Sequence, residues 1–136
     1  MSERVNSILA IARECLGTPF VHQGRDSVKG IDCAGHLAHI FKRKNLNYNE
    51  RKAYPRIPFG GAIEKNLDSQ PHLKRIHRSE LSPGDVIVFR IETSPQHIGI
   101  YTGKNIIHAC STVKRVVEVP FKPWKPQLKL VYRIVE

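Results

Sequence analysis

Cys33 follows Asp32 and precedes a run, Ala34 to Lys44, in which Leu37, Ile40 and Phe41 recur at helical spacing. That pattern puts a thiol at the head of a helix. The first turn of a helix carries unpaired N–H groups and a partial positive charge; both favour the thiolate, which is the nucleophile. The competing reading of such a cysteine is a small buried hydrophobe. Cys15 sits beside an apolar helical stripe and Cys110 at a strand end, and neither place activates a thiol. Three cysteines cannot all pair in one chain, and the lack of a CxxC excludes a zinc ribbon and a dithiol redox motif.

Two histidines give that thiol something to work with. The segment from His97 to Tyr101 alternates, so His97, Gly99 and Tyr101 share one face while Ile98 and Ile100 take the other. In the next segment Ile106 and His108 share a face, with Ile107 and Ala109 opposite. If Gly103 and Lys104 form the turn, Thr102 pairs with Asn105 and Gly99 lies opposite His108. His97 is then a diagonal neighbour of His108, about 7–8 Å away between Cα atoms. Gly99 leaves room between the strands for both rings.

Paired imidazoles suit a metal or a base with its orienting partner. A metal needs a third ligand from Asp32, Cys33, His36 or His39, but residues three apart spread around a helix instead of converging. Acyl transfer needs a thiol, an imidazole and a third polar group on the far ring nitrogen. Cys33, His97 and His108 fill those roles in that order, with no metal and no cofactor. His22, His72 and His77 read as surface or packing residues, and His36 and His39 as flanking the helix.

The elements that must position these groups are helices first and strands later. Residues 3–16 read as a helix, with Val5, Ile8, Leu9, Ala12 and Leu16 on one face and Ser2 as its N-cap, stopped by Gly17, Thr18 and Pro19. Residues 20–32 read as a loop and 33–44 as the second helix, its Lys42 and Arg43 complementing the dipole. Tyr48, Tyr54, Pro55, Pro58, Gly60 and Gly61 predict a long irregular stretch within 45–80, with a short helix near 62–67. Strands are predicted at 86–91, 97–101, 106–110, 113–119 and 128–135, the last two separated by Pro120, Pro123 and Pro126. The expected fold is α+β: N-terminal helices packed on one side of a small antiparallel β-sheet, in a single domain over residues 1–136.

Composition sets outer bounds. The chain has 136 residues, 40% of them hydrophobic and 25% charged, which is enough for one core. No apolar run approaches membrane-spanning length, so membrane insertion is not expected. The start of the chain lacks the basic-then-apolar layout of a secretion signal, so synthesis in the cytoplasm is expected. The net charge of +10 favours polyanionic partners or simple solubility. Its cations are scattered and no aromatic stacking platform accompanies them, so nucleic acid is not an expected partner.

Five ordered segments, GTPFVHQG, DCAG, LSPGDVIVF, QHIGIYTG and IIHA, span residues 16–110. They resemble the PYxxGG, DCSG, PGDLVFF, HVGIY and IHA pattern of the NlpC/P60 family of papain-like cysteine peptidases. The tail PFKPW…YR resembles a narrower branch, cell-wall peptidases encoded with phage tail genes. The resemblance implies a papain-like fold and hydrolysis of bacterial peptidoglycan stem peptides, typically between D-glutamate and a diamino acid. It implies Cys33 as nucleophile, His97 as base and His108 as third polar residue, with the Cys33 N–H as oxyanion donor. Asp32 matches a residue that binds the stem's free amine in some members; as a helix N-cap it has a second reading. Phe20 stands where many members have Tyr, Ala34 replaces the Ser of DCSG and Gln23 replaces a Gly, so the substrate contacts at 20 and 34 are altered. PGD reads as structural. The implied partners are peptidoglycan and phage tail-tip proteins, with the protein carried on a virion tail. Two other readings stay open: a structural or assembly subunit of a tail with activity weak or lost, and a thiol amidase or acyltransferase on another substrate.

Overall fold

The structure, a computed structural model, describes residues 2–50, 61–91 and 94–136. Helix α1 spans Glu3–Arg13, α2 spans Cys33–Arg43 and α3 spans Ala62–Asp68. Ser2 caps α1 by accepting from the Val5 N–H at 3.2 Å. Between α1 and α2 lies a small hairpin of β1, Arg25–Asp26, and β2, Gly30–Ile31. The remaining strands are β3 (Leu73–Ile76), β4 (Val86–Ile91), β5 (Ser94–Tyr101), β6 (Asn105–Cys110), β7 (Arg115–Pro120) and β8 (Leu128–Ile134). They form one antiparallel sheet in the order β3-β8-β4-β5-β6-β7.

Alternation along the strands builds two apolar layers. Val86, Val88, Ile98, Ile100, Ile107, Ala109 and Tyr132 pack with Ile8, Ala12, Leu37, Ile40 and Phe41 of the helices. Ile87, Phe89, Ile106, Leu128 and Val131 form a second cluster with Phe121. The expected α+β arrangement is therefore present, with one addition. The proline-rich stretch between β7 and β8 is not a plain link but a 3₁₀ segment, Lys122–Gln127, laid against the second cluster through Trp124.

Several local expectations change. Helix α1 ends at Arg13 instead of residue 16, because residues 14–17 turn sharply toward the strand they bond: the Gly17 N–H donates to the Val116 carbonyl. The stretch 20–32, read as loop, contains β1 and β2. The stretch 45–80 contains β3, whose exposed Lys74 and Arg75 hide its strand character; it exists because β8 gives it a partner. Val113 and Lys114 lie in a turn with Lys114 at φ 65°, so β7 starts at Arg115. Helix α3 and β4 fall where periodicity puts them. The reading of Tyr54, Pro55, Pro58 and Gly60 lies outside the described residues.

The PGD turn is structural. Gly84 has φ +92°, and buried Asp85 accepts from Arg133 Nε and Nη2, each at 2.9 Å, tying β4's start to β8.

Candidate active site

Helix α2 starts where Asp32 caps it. Asp32 Oδ1 accepts from the Gly35 N–H at 2.8 Å and Oδ2 from the Gln23 N–H at 2.8 Å. Arg25 Nη1 donates to Oδ1 at 3.0 Å, and Arg25 Nε reaches Glu50. The carboxylate is thus a cap and an ion-pair partner at 3% exposure. Gly35 is required for this docking, because a Cβ there would run into the Gly24 carbonyl. The result is a helix head pressed against the β1–β2 hairpin, with Cys33 as its first residue.

The Cys33 side chain keeps partial exposure and lines a cavity of about 50 Å³ with Arg25, Ala34, Tyr48, Ile63, Leu67 and Ile98. Burial pushes its thiol up to about 11, and the Asp32 carboxylate adds to the rise. The N–H groups of Ile98, Ala34 and Cys33 itself pull in the other direction and do not win. This corrects the expectation of a thiolate at rest: in this dry environment desolvation outweighs the helix terminus. Cys15 is fully buried and also pushed up to about 11 by burial, as an inert thiol should be.

The histidines meet as the alternation predicts. The Thr102 N–H donates to the Asn105 carbonyl at 2.9 Å, and Ile100 and Tyr101 pair with Ile107 and Ile106. That register puts Gly99 opposite His108; a Cβ on Gly99 would lie 3.4 Å from the His108 Cβ and 3.3 Å from Ile106 Cγ2. His97 Nε2 and His108 Nδ1 are 2.6 Å apart, with their ring centroids at 4.9 Å. Burial holds His97 down to about 3, with His108 as a further cause, and His108 down to about 4. Both rings are therefore neutral at ordinary pH. The Ile98 N–H, next along the strand from His97, acts on the Cys33 thiol, which brings helix head and hairpin together. Among the described residues no hydrogen bond joins the sulfur to the His97 ring.

The other expected contacts separate. Ala34 lines the cavity, whereas Phe20 packs against the main core and is not part of its lining. His36 Nε2–H donates to the Ala12 carbonyl at 2.9 Å, tying α2 to α1, and His39 pairs with Glu14 at 3.0 Å. His72 Nδ1–H donates to the Val135 carbonyl, and His77 Nδ1 accepts from the Ser79 N–H. Among the described residues no three His, Cys, Asp or Glu side chains converge on a metal position.

Sequence reasoning missed two neighbours. Tyr48 lines the thiol's cavity, stacked on Phe41 at 4.9 Å, and its hydroxyl accepts from Asn66 Nδ2. Trp124 packs against both histidines, its ring centroid 6.0 Å from His97 and 5.2 Å from His108. Only the aromatic in PFKPW hinted at it, and no spacing rule carries a residue there from so far along the chain.

Comparison with known proteins fits this geometry. The sequence model described as the NlpC/P60 family matches residues 17–133. Over 115 residues the chain is 27% identical to the murein DD-endopeptidase MepS/murein LD-carboxypeptidase of Escherichia coli, covering 82% of this chain and 54% of that protein. The chain thus spans about half the length of the curated relatives it matches. The fold resembles the NlpC/p60 domain of the peptidoglycan hydrolase SagA, with TM-score 0.70, 19% identity, and coverage of 96% and 98% of the two chains. It also resembles RipD from Mycobacterium tuberculosis, described as a non-catalytic NlpC/p60 domain protein adapted to peptidoglycan binding, with TM-score 0.64, 15% identity and 100% of both chains covered. With 117 of its residues inside the family match, this chain belongs to the NlpC/P60 family.

Proposed function

We propose that this protein is a cysteine peptidase that hydrolyses amide bonds in peptidoglycan stem peptides. The observation that carries the reading is the 2.6 Å contact between His97 Nε2 and His108 Nδ1, on the strand whose next N–H acts on Cys33. Only one tautomer serves catalysis. His97 must donate Nε2–H to His108 Nδ1, which leaves the His97 Nδ1 lone pair to accept a proton. As Cys33 Sγ attacks the amide carbon, its proton passes to His97 Nδ1 and the carbonyl electrons move to oxygen. The N–H groups at the head of α2 stabilise that oxyanion. When the carbonyl re-forms, the C–N bond breaks and the amine leaves with the proton from His97. Water then attacks the thioester with His97 as base, releasing the acid and restoring the thiol. A neutral thiol and a neutral imidazole suit this concerted transfer, and apo geometry that lacks the sulfur–imidazole hydrogen bond tightens when substrate binds.

The phage-tail setting is part of the proposal, supported by the likeness of the PFKPW…YR tail to that branch. A second reading, a wall-binding or assembly subunit with activity lost, is favoured by one observation: the fold it shares end to end with RipD, a non-catalytic relative. Digestion of purified sacculi separates them. The native chain should release fragments with new amino termini, and Cys33→Ala should release none. Equal release by both would overturn the nucleophile, and none from either would favour the binding subunit. The fragments also identify the bond, whether D-glutamate to diamino acid, as the family resemblance implies, or a DD bond, as in the name of MepS.

A further inference from the structure

The histidine pair is roofed by a residue that contributes no reacting atom. Trp124 lies in the 3₁₀ segment Lys122–Gln127, and its ring stands edge-on to His108 at an interplanar angle of 75°. It meets His97 at 31° and Phe89 of β4 at a centroid distance of 5.4 Å. Phe89 in turn stacks on His97 at 6.2 Å. The indole thus touches both imidazoles and the Phe89 ring touches His97; His108 is 1% exposed and His97 half-buried. Trp124 is itself half-buried and packed on both rings.

We propose that Trp124 is a positioning residue: its indole excludes water from the His97–His108 hydrogen bond and fixes the angle between the two rings. The inference deepens the peptidase reading and rests on it for its kinetic consequence only. Water near that bond would compete for His97 Nε2–H and for His108 Nδ1, loosening the tautomer that catalysis requires. The charged surroundings leave Trp124 as the main lever. From α2 the titratable neighbours are Cys33, held as the thiol, and His36, itself buried and neutral, whose own titration feels His108. From β4 the neighbour is the uncharged Phe89. On the 3₁₀ segment, Lys122 and Lys125 flank Trp124 but are exposed. The low protonation of both imidazoles agrees with a poorly hydrated pair.

The test follows the histidine ring resonances of the full chain by NMR as pH falls, for the native protein, Trp124→Phe and Trp124→Ala. Opening the roof should raise the midpoints of His97 and His108 by about one pH unit or more in Trp124→Ala, while Trp124→Phe restores most of the shift. On sacculi, the acid limb of kcat/KM should move upward with the same ranking. Unchanged midpoints in folded Trp124→Ala overturn the inference, and should Trp124→Ala not fold, an unchanged Trp124→Leu does the same. The NMR readout needs no turnover, so a native chain without hydrolytic activity sinks the peptidase reading and leaves the roof measurable.

Discussion

Asp32 and Arg25 are paired at 3.0 Å, and the same carboxylate caps the helix that presents Cys33. A single side chain thereby anchors the helix head, neutralises an arginine at the cavity and raises the neighbouring thiol. Asp32→Asn keeps a capping oxygen and removes the charge. It should cost about 1–3 kcal/mol, since Asn caps as well as Asp but sets an amide NH2 against the Gln23 N–H and weakens the Arg25 pairing. It should also shift thiol alkylation to lower pH. Denaturant melts and an iodoacetamide rate profile check both, and an unchanged profile would remove Asp32 as a cause of the raised thiol.

The thiol itself gives the second prediction. A cysteine held up to about 11 stays protonated through neutral pH. Its alkylation rate in the free protein should climb with pH well past neutrality. A plateau spanning the acid and neutral range would instead mean a thiolate–imidazolium pair at rest.

His108 offers a test of geometry against identity. His108→Asn retains an acceptor for His97 Nε2–H and should keep kcat/KM within about tenfold, whereas His108→Ala should lose about 100-fold or more. Sacculus digestion rates provide the comparison, and equal losses would show that the acceptor is not what matters.

Acid should unfold this protein early. His36, His97 and His108 are held down to about 4, 3 and 4 by burial. In the unfolded chain each titrates near the ordinary histidine value, about 6.5. Between those values the unfolded state binds more protons, so stability is full above the unfolded value and drains away as pH falls toward the folded ones. The unfolding free energy from urea melts should drop steeply from about pH 6.5 to about pH 4, by up to ~1.4 kcal/mol per pH unit for each histidine. A flat midpoint across that window would contradict neutral burial.

Asp85 and Arg133 should matter for folding alone. Asp85→Ala strands the guanidinium beside a dry site and should cost about 3 kcal/mol. The kcat of the folded fraction on sacculi should match the native value. A selective loss of kcat without a fall in melting temperature would reassign the pair to the site.

What the sequence made legible was local. Alternation in His97–Tyr101 and the Gly103–Lys104 turn were enough to bring His97 and His108 together, because hairpin register follows from turn length. Asp32 at the head of α2 was legible from capping preference. The protonation of Cys33 was not, since the helix terminus is visible in sequence while the desolvating walls from Tyr48, Ile63 and Leu67 arrive from elsewhere. Trp124 escaped for the same reason. Strand β3 was hidden because Lys74 and Arg75 mask an edge that only β8 completes.

The order of strands also governs how the molecule comes into being. β3 and β4 are near neighbours in sequence, yet β8 lies between them in the sheet. The hairpin of β5 and β6 joins nearby residues, so it can close quickly, whereas β3 must wait for a strand more than fifty residues later. Until that late strand docks, the Asp85 anchor has no Arg133 and the segment bearing Trp124 has no far tether. The surroundings of the histidine pair are thus completed only by a closure between distant stretches, and a polypeptide lacking β8 would lack both the Asp85 tie and a full sheet.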